Sequence, residues 1–389
     1  MSARPGLWQR LDGLQLLAAL MLLALGLMTV YSANVDFGRQ LLWVALGLIG
    51  FAVAAAFDYR RLRSVATALY CGCLLLLVAV ALAGHSALGA RRWLSVGGFP
   101  LEPSEVSKLL MVAVLAALLS RRRPATSAPG GGRWGLLPWP DFLVAGGLVA
   151  VPAALILAQP DLGTAIVFVG VLAGMLFLAG ARRLQVAWAL AASAVLLPLL
   201  PLLLRGYQRR RLQVFLDPSQ DPLGAGYNLI QARIAVGSGG LFGQGWLHGV
   251  QGQLGFVPER ATDFIFAVYA EQFGLLGCLL LLALFGVLIL RLAWTVAVAP
   301  DGFGALLAAG VAAMFLIQLV ENVGMNVGLL PIAGIPLPLV SYGGSAMITD
   351  LCALGLAQSV VLRRRSVQHR APVRPADELV EPSTVRLPV

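Results

Sequence analysis

The chain has 389 residues, of which 59% are hydrophobic and only 12% charged, with a mean hydropathy of +0.85 and a formal net charge of +10. Average soluble domains are roughly 45–50% apolar and about 25% charged, so this composition excludes a soluble globular protein and defines an all-α polytopic membrane protein. The basic excess does not indicate nucleic acid, because the basic residues are dispersed over both membrane faces, and cytoplasmic arginines beside anionic headgroups account for most of it.

Apolar runs of about 17–25 residues, the length that crosses a bilayer as helix, recur throughout. Ten candidate spans centre on Leu14–Val30, Leu41–Phe57, Ala66–Ala83, Val106–Leu119, Phe142–Leu157, Thr164–Ala179, Val186–Leu204, Phe264–Leu290, Gly304–Val323 and Ser345–Leu362. The first run is long and lacks a small-residue cleavage site, unlike a signal peptide. Basic clusters precede the first span (Arg4, Arg10) and follow the second (Arg60, Arg61, Arg63), fourth (Arg121, Arg122, Arg123), sixth (Arg182, Arg183) and tenth (Arg363, Arg364, Arg365). The positive-inside rule then puts both termini in the cytoplasm.

The expected organisation is one transmembrane domain over residues 1–365, with a flexible Gly- and Pro-rich cytoplasmic loop at 120–138 and a long external loop at 205–263. Residues 366–389 read as a disordered cytoplasmic tail. The external loops carry Arg91, Arg92, Arg205, Arg209, Arg210, Arg211 and Arg260, and a basic external face suits an anionic ligand. Cys71, Cys73, Cys278 and Cys352 lie in apolar runs and match neither a metal nor a disulfide pattern. No internal repeat is visible, which disfavours inverted-repeat transporters.

Five stretches could carry chemistry. In the first, Arg91 and Arg92 lead to Glu105 and Lys108, three residues apart and so on one helix face. Lys108 is the only lysine. The pair is either a self-neutralising buried ion pair or an ammonium presented to a phosphate. In the second, Gln159–Thr164, Asp161 suits a turn and helix cap, or a cavity acid on the same side as Asp263.

The third stretch lies in the long loop, where Tyr227–Arg233 alternates as an amphipathic surface helix and Gly237–Gly245 permits close backbone approach to a ligand or another segment. The fourth is Pro258–Phe264, where Asp263 opens a long apolar helix. It is a cap in the bland reading and a proton acceptor in the functional one, with Glu271 two turns on. The fifth, Asn322–Ser345, has prolines at 331, 336 and 338 and cannot be continuous helix. Broken backbone at membrane depth survives only when buried or lining a cavity, so a re-entrant segment before the last span is expected, bringing Ser341 to the cavity.

One acid among several bases suits transfer from a diphosphate-linked donor. Glycosidases protonate an alcohol leaving group and use two carboxylates. A diphosphate already leaves well, so a general base and a cationic clamp suffice. A lipid-linked donor would explain the membrane setting.

The strings GARRWLSVGGFPLEPSEVSK, QPDLGT, GYNLIQARIAVGSGGLFGQGW, FVPERATDFIFA and NVGMNVGLLPIAGIPLPLVSYGGS resemble, in order and over nearly the whole chain, the SEDS family (shape, elongation, division and sporulation). They are most similar to its rod-elongation branch. The resemblance implies a peptidoglycan glycosyltransferase that polymerises lipid II on the outer face of the bacterial inner membrane. It implies Asp263 as base on the acceptor hydroxyl and Glu105, Lys108 and Asp161 as cavity residues. Arg91, Arg92, Arg210, Arg260 and Ser341 complete the expected substrate site.

The implied partners are a class B penicillin-binding protein transpeptidase and the elongation machinery. No resident cofactor is implied, and a Mg or Mn ion is left open. Gly255 and Gln272 depart from the family pattern. The rival readings are a lipid II flippase, which needs a polar path reaching both membrane faces, and a scaffold that only recruits the transpeptidase.

Overall fold

The computed structural model describes residues 11–87, 90–96, 99–121, 136–196, 206–221 and 224–368. Of the expected loop at 120–138, residues 122–135 lie outside the described residues, as do 369–389 of the tail expected from 366; residues 366–368 instead end the last helix. A helix stands at each expected span. These are α1 (Gly13–Ser32), α2 (Phe37–Ala56), a short α3 (Arg60–Ser64), α4 (Ala66–Ala83), α5 (Pro103–Leu119), α6 (Trp139–Ala158), α7 (Leu162–Leu178) and α8 (Arg183–Leu196). After the loop helices α9 (Gly206–Leu216), α10 (Ala225–Ser238) and α11 (Val250–Gln253) come α12 (Ile265–Val298), α13 (Gly302–Asn326) and α14 (Gly344–Gln368). By length and apolar composition, seven of these helices can cross a membrane.

Local chemistry sets several helix starts. Asp12, Asp36, Asp161 and Asp301 each precede a helix and accept the backbone N–H three residues on, satisfying a donor that has no partner within the helix. Burial then sorts the helices. The most apolar windows of α13 and α14 are 72% and 83% buried, against 22% for α4 and 28% for α2, so α13 and α14 form the centre and α2 and α4 face lipid. Cys71 is exposed and Cys73 buried, on different faces of α4, and among the described residues the cysteines are free.

The chain is mostly helical, as expected, and adds one small sheet. The segment between α4 and α5 contains three short antiparallel strands, β1 (His85–Ala87), β2 (Ala90–Val96) and β3 (Phe99–Leu101), in the order β1-β2-β3. Leu94 pairs with Leu101 and Val96 with Phe99.

The Gly-rich string has a structural task. α12 is interrupted at Gly274, where φ is 64° and ψ −165°. The break frees backbone groups, and the string supplies partners. Gln244 N–H donates to Glu271 O (2.9 Å), Gly245 N–H to Gln272 O (3.1 Å), and Leu275 N–H to Gly240 O (2.9 Å). A methyl on Gly243 would collide with the Gln272 carbonyl, so the approach needs glycine there.

Residues 327–343 hold no helix, as the three prolines require. Ile335, Leu337, Leu339 and Val340 are nonetheless buried. The irregular segment is thus packed in protein, the condition that polar backbone at membrane depth demands.

Candidate active site

At one end of the bundle the start of α12, the strand β2, helix α9, the irregular segment and the start of α14 enclose a cavity of about 230 Å³. Asp263 lies on its wall with Arg92, Glu102, Arg211 and Glu259. Gly334, with φ +75°, marks the point of convergence. A methyl placed on it would stand 3.4 Å from Oδ2 of Asp263, 3.4 Å from Nη1 of Arg211 and 3.8 Å from Nη1 of Arg92. One carboxylate and two guanidiniums therefore ring a single small residue.

Each of these side chains is fixed by its surroundings. The Asp263 carbonyl accepts from the side-chain amides of Asn322 and Asn326, both at 3.0 Å, which ties the start of α12 to the end of α13. Arg211 Nη1 donates to Ile332 O at 3.2 Å. Arg92 donates to Pro160 O and lies 3.7 Å from Asp161 Oδ1. Burial pushes the Asp263 carboxyl up to about 6, against the opposing pull of Arg211 and Arg92. Glu102 is pushed up to about 8, chiefly by burial and then by Glu105 and Asp161. An acid poised near neutral pH is suited to proton transfer, and the two guanidiniums suit phosphate oxygens.

The structure brings Asp263 and Arg92 together and sets Asp161, Glu105, Lys108, Ser341 and Arg260 apart from the cavity wall. Asp161 is buried behind Arg92, capping α7 through Thr164 N–H at 3.2 Å while pairing with Arg92. Glu105 and Lys108 form a fully buried pair at 2.8 Å. Gln318, its amide oriented to satisfy both neighbours, accepts from Lys108 Nζ at 2.6 Å. Ser341 is buried, its hydroxyl donating to Thr262 O and accepting from Leu337 N–H, both at 2.7 Å, so it ties the irregular segment to the Asp263 loop. Arg260 Nε donates to Ala33 O at 2.8 Å, toward α1. The side chains of Arg91 and Arg210 lie outside those described.

Glu271 does not face the cavity; its oxygens accept from Gln251 N–H (2.7 Å) and Gly252 N–H (2.9 Å). Sequence reasoning counted Arg211 in the basic face but named its neighbour Arg210 for the substrate site; the cavity wall carries Arg211. That reasoning passed over Trp43 and Tyr342, whose rings pack at 4.9 Å on the wall. Among the described residues, no three His, Cys, Asp or Glu side chains are grouped to hold a metal ion.

A helical membrane bundle with a charged cavity at one end defines the class: a polytopic membrane protein whose cavity gathers an acid and two guanidiniums. The chain belongs to the cell cycle protein family of FtsW, RodA and SpoVE, which it matches over residues 9–366. It is 41% identical to peptidoglycan glycosyltransferase MrdB of Escherichia coli K12 over 362 residues, covering 91% of this chain and 94% of that protein. Among solved structures, a chain from work on the coordination of polymerization and crosslinking by a peptidoglycan synthase complex is 32% identical, with a TM-score of 0.75 over 92% of this chain and 98% of that one. The crystal structure of the rod shape determining protein RodA of Thermus thermophilus is 30% identical, with a TM-score of 0.66 over 92% and 97%. The enzyme class expected from the sequence motifs is thus the class named for its relatives.

Proposed function

We propose that this protein polymerises lipid II into glycan strands on the outer face of the bacterial inner membrane during cell elongation. On this reading it has ten spans, both termini in the cytoplasm, and the Asp263 end outside. Asp263 removes the proton from the acceptor sugar's hydroxyl, and that oxygen attacks the anomeric carbon of the donor. The anomeric carbon–oxygen bond to the diphosphate breaks, and undecaprenyl diphosphate leaves with its charge held by Arg92 and Arg211. The observation that carries this reading is the convergence of one carboxylate and two guanidiniums at Gly334. Trp43 and Tyr342 offer apolar ring surface to a sugar. Were a divalent cation such as Mg or Mn used, the carboxylates on the wall, Asp263, Glu102 and Glu259, would be the ones to hold it, and it would add positive charge against the diphosphate.

A class B penicillin-binding protein transpeptidase would crosslink the product alongside the elongation machinery. The similarity to a chain of a peptidoglycan synthase complex supports that partnership.

The flippase reading draws on one observation: buried polar groups continue below the cavity through Glu105, Lys108, Gln318, Glu321 and Asp350. Lipid II polymerisation by purified protein, with and without the transpeptidase, separates the readings. Wild type should yield polymer and folded Asp263→Asn none. Polymer from the mutant would remove Asp263 as base, and none from either protein with its partner bound would favour transport or scaffolding.

A further inference from the structure

The wall of the Asp263 cavity is divided by chemistry. Around Gly334 the neighbours are one carboxylate and two guanidiniums. Around Gly344, at the start of α14, they are aromatic: a methyl placed there would collide with the Trp43 ring at 2.8–2.9 Å. The Tyr342 ring packs against the same indole, with centres 4.9 Å apart and planes at 60°, close to the tilted arrangement that aromatic pairs favour. Trp43 is 5% exposed and Tyr342 half-buried, and both line the cavity. Trp43 is thus the backing, and Tyr342 is the ring that offers a face.

The backbone of Tyr342 is held on both sides. Its N–H donates to Ala261 O at 2.8 Å, two residues before the acid. The buried Gln40 side chain brackets it: Nε2 donates to Ser341 O at 3.2 Å, and Oε1 accepts from Gly343 N–H at 3.3 Å. Both polar atoms of this amide are therefore committed to one turn of backbone. Gln40 and Trp43 stand three residues apart on α2 and share a face. One turn of α2 thus supplies both the clamp on the Tyr342 backbone and the surface behind its ring. Ala261 and Gln40 together fix where that ring stands relative to Asp263.

A pyranose has a rim of hydroxyls and faces made of C–H groups. The hydroxyls suit the acid, and a diphosphate suits the guanidiniums. The C–H face needs a rigid apolar surface, which an aromatic ring supplies at small conformational cost. We propose that Tyr342 is the sugar subsite of this cavity, stacking on a pyranose of the substrate, and that Gln40 is the positioning residue that sets its ring beside Asp263. This subsite rests on the lipid-linked sugar substrate proposed above.

Equilibrium binding of lipid II and of undecaprenyl diphosphate to the full chain in detergent tests it without turnover. The two lipids share the diphosphate and the isoprenoid and differ in the sugar-bearing headgroup. Wild type should hold lipid II about tenfold more tightly, the scale of covering one apolar ring face. Tyr342→Phe should keep that preference, and Tyr342→Leu should abolish it without changing the affinity for undecaprenyl diphosphate. Gln40→Ala should lose most of the preference, and it should have no further effect in a Tyr342→Leu background, because it acts through that ring. Gln40→Met, which keeps the bulk and removes both hydrogen bonds, serves if the smaller residue does not fold. Equal affinity for the two lipids in wild type, or an undiminished preference in Tyr342→Leu, overturns the sugar subsite while leaving the diphosphate-linked substrate in place. Additive losses in the double variant, or an equal loss for both lipids, remove Gln40 as a positioning residue and make it structural. Binding of neither lipid overturns the proposed substrate and this subsite together.

Discussion

The side-chain amide nitrogen of Asn322 stands 3.0 Å from the carbonyl oxygen of Asp263 and 2.8 Å from that of Ile335. One buried side chain on α13 thus sets both the backbone that carries the acid and the irregular segment that closes the cavity. Asn322→Ala would leave two carbonyls short of a donor, at a cost of about 1–3 kcal/mol. Unfolding midpoints of the purified variant should fall accordingly, with the polymerisation rate falling further than stability because the acid is displaced. A variant matching wild type in both would show that Asn326 suffices.

The raised pKa of Asp263 makes the proposed reaction pH-dependent. As base the group must be ionised, so the initial rate of lipid II polymerisation should rise with pH through about 6 and level off above it. A flat profile between pH 5 and 8 would remove Asp263 from the proton transfer.

The same shift predicts a stability effect of defined sign. The folded-state pKa of about 6 lies above the ordinary 3.8, so the folded form holds its proton more tightly. That contribution is fully present below pH ~4 and is lost as pH rises through about 6. Asp263→Asn removes the burden of the buried charge and should stabilise the protein at neutral pH by on the order of 1 kcal/mol, and much less at pH 4. Thermal unfolding at the two pH values checks this; an equal effect at both would mean that ionisation is not the cause.

Arg211, in a run of three arginines, lines the cavity beside Asp263. Arg211→Gln should lower the turnover number about 10²-fold, the scale of losing one charge-stabilising donor, with little change in the unfolding midpoint. Steady-state kinetics on lipid II decide it. A change confined to KM would place Arg211 in ground-state binding rather than in holding the leaving group.

Gly243 and Glu271 are structural in this account. Gly243→Ala must clash with the Gln272 backbone at a positive φ, and a loss of several kcal/mol, seen as little folded protein in the membrane, is expected. Glu271→Gln keeps one acceptor oxygen for the Gln251 and Gly252 N–H groups, so it should lower the unfolding midpoint by a few degrees and leave the rate within about fivefold. A rate collapse at unchanged stability would instead make Glu271 a participant in the chemistry.

What the sequence determined by itself is what depends on local chemistry. The apolar runs place helices because a bilayer leaves the backbone no other partners. Aspartates at run boundaries mark helix starts, and three prolines between Asn322 and Ser345 rule out continuous helix there. The ordered motifs gave the family and put Asp263 forward. Only the tertiary structure decided which of the many loop charges meet. It turned Arg92 and Arg211 toward Gly334 and buried Glu105 with Lys108. It sent Arg260 to α1 and used Ser341 as a tie.

The threading of residues 239–245 against the break in α12 was likewise decided by long-range contacts, whereas the strand pairing beside Arg92 is local. Which face a residue presents depends on helix phase, kinks and partners dozens to hundreds of residues away, such as the 227 positions between Arg260 and Ala33. No local spacing encodes those distances.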